Sequence, residues 1–386
     1  MNTYSTQLNS TKTIVALGAE SAGNFSIFHN NTIHHSSDFG NLQDKDNFEK
    51  FKTSLLTFIK KNKLKPDAVL TDLHPYYVTT EFGQELSQEL TAEHIQIQHH
   101  HAHIFASIGD YLIEKQIFQL PEHTIGIAMD GTGFGLDEKI WGGELFDIDA
   151  ESKSIKRIGH LENQILLGSE LAIKEPARML ISILSNFLSK KETFKFIKAY
   201  YDQNQFELLY SQLKQDFNCQ EASSTGRALD AVSILLGFSK NSRGFKHAPI
   251  KNLVSNSTIP YSDLKPSIIQ RNSLFTLETT PLFEYLVQNI NKDKKRLAAT
   301  AQKYIAEGFY GITEKSNPKL PPLFKGEDQG GVSLIDTPNL FISGGVASSK
   351  IISDFFHEKG AWDNKKVPRG DAGLSLGQIF YYLIQI

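Results

Sequence analysis

Apolar runs alternate with amphipathic helical patterns through the first third of the chain. Residues 13–18 predict a buried strand that ends in glycine, and residues 24–37 alternate around an Asn-Asn pair, which indicates two more strands joined by a turn. Apolar residues recur at helical spacing over residues 48–61, and residues 67–72 return to a strand pattern. This alternation predicts an α/β structure with a mixed sheet flanked by helices.

A similar cycle opens at residue 123. A strand runs there into the glycine-rich turn "MDGTGFG", and residues 140–149 and 154–162 are the expected hairpin partners. The repetition predicts a duplicated architecture of two lobes, at residues 1–122 and 123–386. The remaining pattern predicts mainly helices at 172–238, an irregular connector at 241–267, helices at 281–313, an exposed loop at 317–331, and a final strand followed by two helices.

Composition excludes several classes of protein. With 386 residues, 40% of them hydrophobic and 22% charged, the chain is typical of a globular protein with two sizeable cores. The net charge of −3 is spread without a basic stripe, so nucleic acid is an unlikely partner. No leader or membrane-spanning pattern is evident, which favours the cytoplasm. Cys219 is the only cysteine, so a metal must be held by His, Asp or Glu.

Histidine is concentrated in one stretch, "HIQIQHHHAH", which holds five of the thirteen histidines. If a helix begins there, His99 and His103 stand one turn apart and project from one face, as paired metal ligands do. Asp130 and Asp371 are the best candidates for additional carboxylate ligands. The pattern alone leaves metal binding and a polar, hydrogen-bonded helix start equally open.

Two glycine-rich segments follow apolar strands. Gly131, Thr132 and Gly133 come after the first, and Gly344 and Gly345 lie between a strand and a helix. Backbone N–H groups in such turns can approach phosphate oxygens. Glycine after a strand usually only makes a tight turn, but two such segments, with a carboxylate in the first, predict a nucleotide clamp between the lobes.

Charged residues also mark two predicted helix starts. The segment "AIKEPARML" contains Lys174 and Glu175, and "SSTGRALDAV" contains Arg227 and Asp230. Such residues most often cap a helix or lie on a solvated surface. From the pattern alone we therefore assign them structural roles.

Seven segments occur in one order between residues 71 and 378, and the resemblance they carry runs from about residue 14 to the C-terminus: "TDLHPYYVTT", "QHHHAH", "MDGTGFG", "WGGELF", "SSTGRALDAV", "FISGGVASS" and "GDAGLSLGQ". In this order the chain resembles the C-terminal domain of the HypF family of hydrogenase-maturation carbamoyltransferases. The resemblance implies a two-lobed actin-like, sugar-kinase-like ATPase fold. Where the family is acidic after the "SSTGRALDAV" segment, this chain has a basic stretch, "RGFKHAPIKN".

The resemblance also implies roles for residues. His99, His103, Asp130 and Asp371 would bind a divalent metal, with Fe, Zn and Mg as the candidates, and the two glycine segments would hold ATP or a carbamoyl-adenylate. Asp130, Lys174 and Glu175 are the implied catalytic residues.

The implied reaction passes the carbamoyl group to an acceptor such as the thiolate of a HypE-like protein, as in the maturation of the hydrogenase cyanide ligand. The domains that precede this one in the family are not recognisable in the 386 residues, which implies a separate adenylate-forming protein. The alternative is a non-catalytic nucleotide- and metal-binding partner derived from the family.

Overall fold

Two mixed β-sheets form the framework of the chain. The computed structural model describes residues 1–385, apart from residues 9, 118–119, 121–122, 245–247 and 317–338. The first sheet contains β1 (Asn2–Ser5), β2 (Ile14–Ala16), β3 (Ser26–His29), β4 (Thr32–His35), β5 (Ala68–Asp72) and β6 (Glu93–Ile97). Their spatial order is β1-β4-β3-β2-β5-β6.

The second sheet is larger and is built from the remaining described strands. These are β7 (His123–Phe134), β8 (Ile140–Asp149), β9 (Ser154–Leu161), β10 (Gln164–Leu167), β11 (Cys219–Ala222), β12 (Ile268–Arg271), β13 (Leu274–Leu277) and β14 (Leu340–Ser343). The order is β10-β11-β8-β9-β13-β12, and β7 lies between β8 and β14.

Helices fill the connections between these strands. The first lobe contributes α1 (Lys45–Lys61), α2 (Val78–Leu90) and α3 (His99–Lys115). The later helices are α4 (Glu170–Lys174), α5 (Ala177–Leu184), α6 (Lys190–Ile197), α7 (Gln203–Lys214), α8 (Thr225–Leu235), α9 (Ala248–Ser255), α10 (Thr280–Gln288), α11 (Lys294–Ser316), α12 (Lys350–Glu358) and α13 (Leu374–Gln385). None of the helices in the described ranges is both long and apolar enough to cross a membrane.

The two sheets share one pattern of strand pairing. In the first, β2, β3 and β4 form an antiparallel series, and β2 also pairs with β5 in parallel. In the second, β7, β8 and β9 form the antiparallel series, and β7 pairs with β14 in parallel. The prediction of a mixed α/β fold is confirmed, and the repeated pairing matches the expected duplication.

Helices α3 and α13 lie between the two sheets. They pack on each other, while α3 also contacts β7 and β14 and α13 contacts β2 and β3. One buried apolar cluster therefore joins side chains from both sheets, for example Ile14, Phe105, Phe146 and Phe380. Helix α3 begins where Gln98 accepts hydrogen bonds from two backbone N–H groups of the first turn. This packing buries the histidine stretch.

Most predicted elements are present, with two corrections. The glycine-rich segment after residue 129 is not a turn that ends the strand, because β7 continues through it with a shift of register against β8 between Met129 and Gly133. The predicted irregular connector contains α9, whose apolar residues Ile250 and Leu253 are buried. The Asn-Asn turn is confirmed, since Asn30 and Asn31 both have positive φ. The predicted loop at 317–331 lies outside the described residues.

The buried side chain of His35, at the end of β4 in the first sheet, makes the free energy of unfolding depend on pH. The side chain of His35 lies 3.0 Å from the Ser26 hydroxyl, and burial lowers its pKa from 6.5 to about 4. Because the folded protein binds this proton more weakly than the unfolded chain, His35 stabilises the fold above pH 6.5 and destabilises it as pH falls toward 4. We expect a loss of up to about 3 kcal/mol over this interval, which urea unfolding at pH 7 and pH 4.5 would measure. In His35→Gln this part of the pH dependence should disappear, and an unchanged profile would contradict the assignment.

Candidate functional site

Four side chains that could bind one cation converge at the N-terminal end of α3. One ligand atom from each of His99, His103, Asp130 and Asp371 lies within 4.8 Å of all the others. Oδ2 of Asp130 is 3.5 Å from Nε2 of both histidines, and Oδ1 of Asp371 is 3.6 Å from Nε2 of His103. The structure therefore brings together all four residues predicted as ligands.

These residues reach one point from three elements. His99 and His103 are one turn apart on α3, so their rings share a face, with centroids 4.8 Å apart. Asp130 lies in the bulged part of β7. Asp371 belongs to a short 3-10 turn, Gly370–Gly373, just before α13, and the Ser21 hydroxyl donates to its Oδ2. Because α3 and α13 pack together, the histidines meet a carboxylate from the far end of the chain.

The atoms that face each other in this cluster fit a bound divalent cation. His99, His103 and Asp130 are all buried. Nε2 of each histidine has no hydrogen-bond partner of normal geometry in the described part of the chain, although buried polar atoms nearly always have one. Two imidazoles and two carboxylates form a donor set that suits Fe, Zn or Mn. The residues present therefore fit the predicted metal.

The carboxylates and imidazoles of the cluster shift one another's pKa values. Burial alone would lower the pKa of His99, but Asp72 and Asp130 outweigh it and raise that pKa well above its usual value. Burial alone would likewise lower the pKa of His103, but Asp130 outweighs burial and raises that pKa. Burial would raise the pKa of Asp130, yet His103 and His99 hold it well below its usual value. Protons bound to these imidazoles compete with a cation, so metal binding is expected to release protons.

Asp72 holds the first histidine in place, a role that the sequence analysis missed. Its Oδ2 lies 2.7 Å from Nδ1 of His99, and both side chains are buried. This contact orients the ring so that Nε2 points toward Asp130. A signal was present in the sequence, because Asp72 ends β5 and the neighbouring parallel strand β6 leads directly into α3. Carboxyl ends of adjacent parallel strands meet at one edge of a sheet.

Replacing Asp72 by asparagine should weaken metal binding without removing a ligand. The amide N–H₂ of the introduced asparagine could donate to Nδ1 of His99. That would favour the tautomer in which Nε2, the atom that faces the cation, carries the proton. We expect an affinity loss of about 10- to 100-fold, measured by competition with a metallochromic chelator. The matched control is Asp67→Asn at the start of the same strand, where Asp67 accepts from the backbone N–H of Thr13. Equal affinity in Asp72→Asn and wild type would contradict this role.

The two glycine-rich segments meet beside Asp130. The N–H of Gly345 donates to Oδ1 of Asp130 at 3.1 Å. Gly344 has φ +98°, and a β-carbon there would lie 2.2 Å from the carbonyl oxygen of Met129, so only glycine allows this approach. A β-carbon at Gly133 would lie 2.7 Å from the His99 ring. Gly131 and Thr132 lie half-buried between these points.

Lys174 and Glu175 occupy the end of α4, outside the four-residue cluster. Glu175 Oε2 accepts hydrogen bonds from Arg178 and from the Tyr201 hydroxyl, at 2.7 and 2.8 Å. Burial would raise the pKa of Glu175, but the hydrogen bonds from Tyr201 and Arg178 outweigh it and lower that pKa. Lys174 is exposed, and its carbonyl accepts from the backbone N–H of Arg243 at 3.0 Å.

The residues at the start of α8 are not solvated surface. Ser224 caps the helix by accepting from the N–H of Arg227. Arg227 and Asp230, however, are only 5% and 0% exposed, so of the two alternatives given for them, capping or solvated surface, the solvated surface is excluded. The reason is tertiary, because α8 packs against β7 and α5 and its N-terminus therefore faces the Asp130 segment.

Two family models together match most of the chain. Residues 126–378 match the family model described as "Carbamoyltransferase, Kae1-like Domain, second subdomain", and residues 9–110 match the "HypF Kae1-like domain". The chain belongs to the HypF carbamoyltransferase family. The resemblance stated from the sequence segments is thereby confirmed.

One relative covers nearly the whole chain, and another covers just over half of it. The probable carbamoyltransferase HypF of Methanocaldococcus jannaschii is 33% identical over 98% of this chain and 47% of its own length. A carbamoyltransferase HypF homolog of Cupriavidus necator is 32% identical over 55% of this chain and 51% of its own length. The chain thus spans about half the length of these family members.

Solved HypF structures share the fold. The T. kodakarensis HypF structure has a TM-score of 0.83 at 26% identity, covering 99% of this chain and 49% of that one. A full-length HypF in a phosphate- and nucleotide-bound form has a TM-score of 0.83 at 22% identity, covering 99% of this chain and 57% of that one.

Proposed function

We propose that the chain is a carbamoyltransferase that binds a carbamoyl-adenylate, or ATP with a carbamoyl donor, and passes the carbamoyl group to an acceptor. The observation that carries the proposal is the buried convergence of two imidazoles and two carboxylates within 4.8 Å, next to two glycine segments that meet at Asp130. The names of the relatives support the reaction class, and the nucleotide-bound state of one solved relative supports the ligand.

A divalent cation such as Fe or Zn held by His99, His103, Asp130 and Asp371 would supply Lewis-acid stabilisation of negative charge. The chain itself provides the orientation. Asp72 fixes the ring of His99, and Gly345 fixes one oxygen of Asp130. The buried histidines keep water away from this side of the ligand.

The adenylate already carries a good leaving group, so positioning does most of the work. The acceptor thiolate would attack the carbonyl carbon of the carbamoyl group, the bond from that carbon to the phosphate oxygen would break, and AMP would leave. Gly131, Thr132, Gly133, Gly344 and Gly345 are the proposed nucleotide contacts, and N–H groups near the developing charge would stabilise it.

Lys174 and Glu175 are proposed to act on the acceptor side together with Asp130. Two contacts support this. The Lys174 carbonyl accepts a hydrogen bond from the backbone N–H of Arg243, and the side chain of Arg243 pairs with the buried Asp230. The exposed ammonium of Lys174 could attract an acceptor thiolate.

The acceptor is proposed to be the terminal thiolate of a HypE-like protein, with a separate protein forming the adenylate. Cys219 does not suit the role of internal nucleophile, because burial and Asp216 raise the pKa of its thiol. The nucleophile would therefore come from a partner.

The architecture is proposed to be the actin-like, sugar-kinase-like fold, with lobes at residues 1–122 and 123–386. The repeated strand pairing of β2 with β5 and of β7 with β14 supports it. The two family matches also divide between residues 110 and 126.

The reaction is tested with purified, metal-loaded protein. The mixture contains carbamoyl phosphate, ATP, a carbamoyl-adenylate-forming protein and a HypE-like acceptor, and mass spectrometry measures carbamoyl groups added to the acceptor cysteine. We expect transfer to depend on this chain and to be lost in Asp371→Ala. Binding of nucleotide and metal without transfer would favour the non-catalytic partner, and no binding at millimolar ATP would contradict both functions.

A further inference from the structure

We propose that Arg227 and Arg243 form a pocket for a phosphate group, on the α8 side of the Asp130 segment. The inference rests on the proposed function, because it identifies the residues that would hold the anionic part of an adenylate. It concerns Arg227, to which the sequence pattern assigns a structural role, and Arg243, which that pattern does not single out.

The two arginines share one carboxylate oxygen. Nη2 of Arg227 lies 2.9 Å from Oδ2 of Asp230, and Nη2 of Arg243 donates to the same oxygen at 2.7 Å. The Asp230 side chain is 1% exposed, and those of Arg227 and Arg243 are 6% and 9% exposed. The geometry is therefore a buried triad in which one anion serves two cations.

The charges of this triad do not balance. Within the triad, two guanidinium groups and one carboxylate leave one positive charge in excess, which the Asp130 carboxylate offsets only from outside the triad through its effect on Arg243. Nε of Arg227, Nε of Arg243 and Oδ1 of Asp230 also lack hydrogen-bond partners among the described residues. An oxyanion would supply both the missing charge and acceptors for the free N–H donors.

Burial and Arg227 lower the pKa of Arg243 to about 10, against the opposing effect of Asp230 and Asp130. Arg243 therefore remains cationic at neutral pH and would pair with an anion.

The triad adjoins the proposed nucleotide contacts. The Ser224 hydroxyl at the cap of α8 donates to the carbonyl of Gly131. A β-carbon at Gly131 would lie 3.6 Å from Nη2 of Arg227, so this guanidinium group lies next to the first glycine segment. Gly131 and Thr132 are half-buried, which leaves that segment open to a ligand. A phosphate there would lie between the metal residues and the arginine pair.

This pair of arginines suits a phosphate group better than lysines would, because a lysine ammonium group is only a point charge. Planar guanidinium groups present fixed pairs of N–H donors that match two oxygens of one phosphate. Arg243 also opens the basic stretch "RGFKHAPIKN".

Calorimetric titration of the metal-loaded protein with three probes, AMP, adenosine and inorganic phosphate, tests the pocket. We expect Arg243→Gln to weaken AMP binding about 10- to 100-fold, the loss typical of a charged hydrogen bond, while adenosine affinity and metal content stay unchanged. Arg243→Lys should recover part of the affinity, because it restores the charge. The control is Arg271→Gln, at an exposed arginine of β12, which should bind AMP like wild type. Thermal unfolding confirms that each variant is folded.

The outcomes separate this inference from the proposed function. Equal wild-type affinity for AMP and adenosine, or unchanged AMP affinity in folded Arg243→Gln, would overturn the pocket even if carbamoyl transfer is observed. Arg243-dependent binding of AMP or inorganic phosphate would support the pocket even if no transfer occurs. Binding of inorganic phosphate alone, with no gain from the nucleoside, would keep the phosphate pocket and reject an adenylate as its ligand.

Discussion

His103→Ala is expected to abolish loading with a divalent metal while leaving the protein folded. Nε2 of His103 faces both carboxylates of the cluster, at 3.5 Å from Asp130 and 3.6 Å from Asp371, so its loss removes the ligand that links them. Even residues that only orient a ligand contribute about 10- to 100-fold to metal affinity, and loss of the ligand itself should exceed about 100-fold. His99→Ala should behave in the same way.

Metal content after equilibration with a defined free concentration, measured by elemental mass spectrometry, checks this prediction. The control is His101→Phe on the same helix, because His101 packs against Phe146 and Tyr381 rather than facing the carboxylates. It should load metal like wild type. If both alanine variants retain full metal content, the four residues are not the ligands.

Asp110→Ala is expected to cause the largest loss of stability among these variants. Asp110 is fully buried on α3, and its Oδ1 accepts from the backbone N–H groups of Lys365, Lys366 and Val367 at 3.0, 2.5 and 2.7 Å. Its Oδ2 accepts from the Trp362 indole at 3.0 Å. Alanine would leave all four donors without this acceptor, at a cost on the order of 3–5 kcal/mol.

Equilibrium unfolding in guanidinium chloride would measure this change. The segment that Asp110 holds leads directly to Asp371, so metal affinity should fall together with stability. Asp110→Asn keeps one acceptor oxygen and should lose less of both. A change below about 1 kcal/mol in Asp110→Ala, the size of an ordinary substitution, would show that the segment is held by other contacts.

The sequence predicted the local features well. The helix that begins at His99 and the one-turn spacing of His99 and His103 follow from periodicity, which a single segment contains. The turn at Asn30 and Asn31 follows from the tolerance of asparagine for positive φ. The glycine segments were identified, although the first is a bulge inside β7 rather than the end of a strand.

Charged residues that are buried by distant parts of the chain were not predictable in this way. Asp110 and Arg227 have the local context of an exposed helix face and a helix start, but both are buried. Their environment depends on the segment after β14 folding back over α3 and on α8 packing against β7. Asp72 was missed for a related reason, since its contact with His99 exists only because β5 and β6 lie side by side in the sheet.

By itself the sequence determined which segments form strands and helices, which residue types could bind a metal, and, through the order of its segments, the family. Those properties depend on neighbours within a few turns or on comparison of segment order. Only the tertiary structure decided that His103 meets Asp371 and that Arg227 and Arg243 share Asp230. The physical reason is that side-chain periodicity encodes local geometry, whereas convergence of distant residues depends on how separate elements pack, α3 and α13 between the two sheets and α8 against β7.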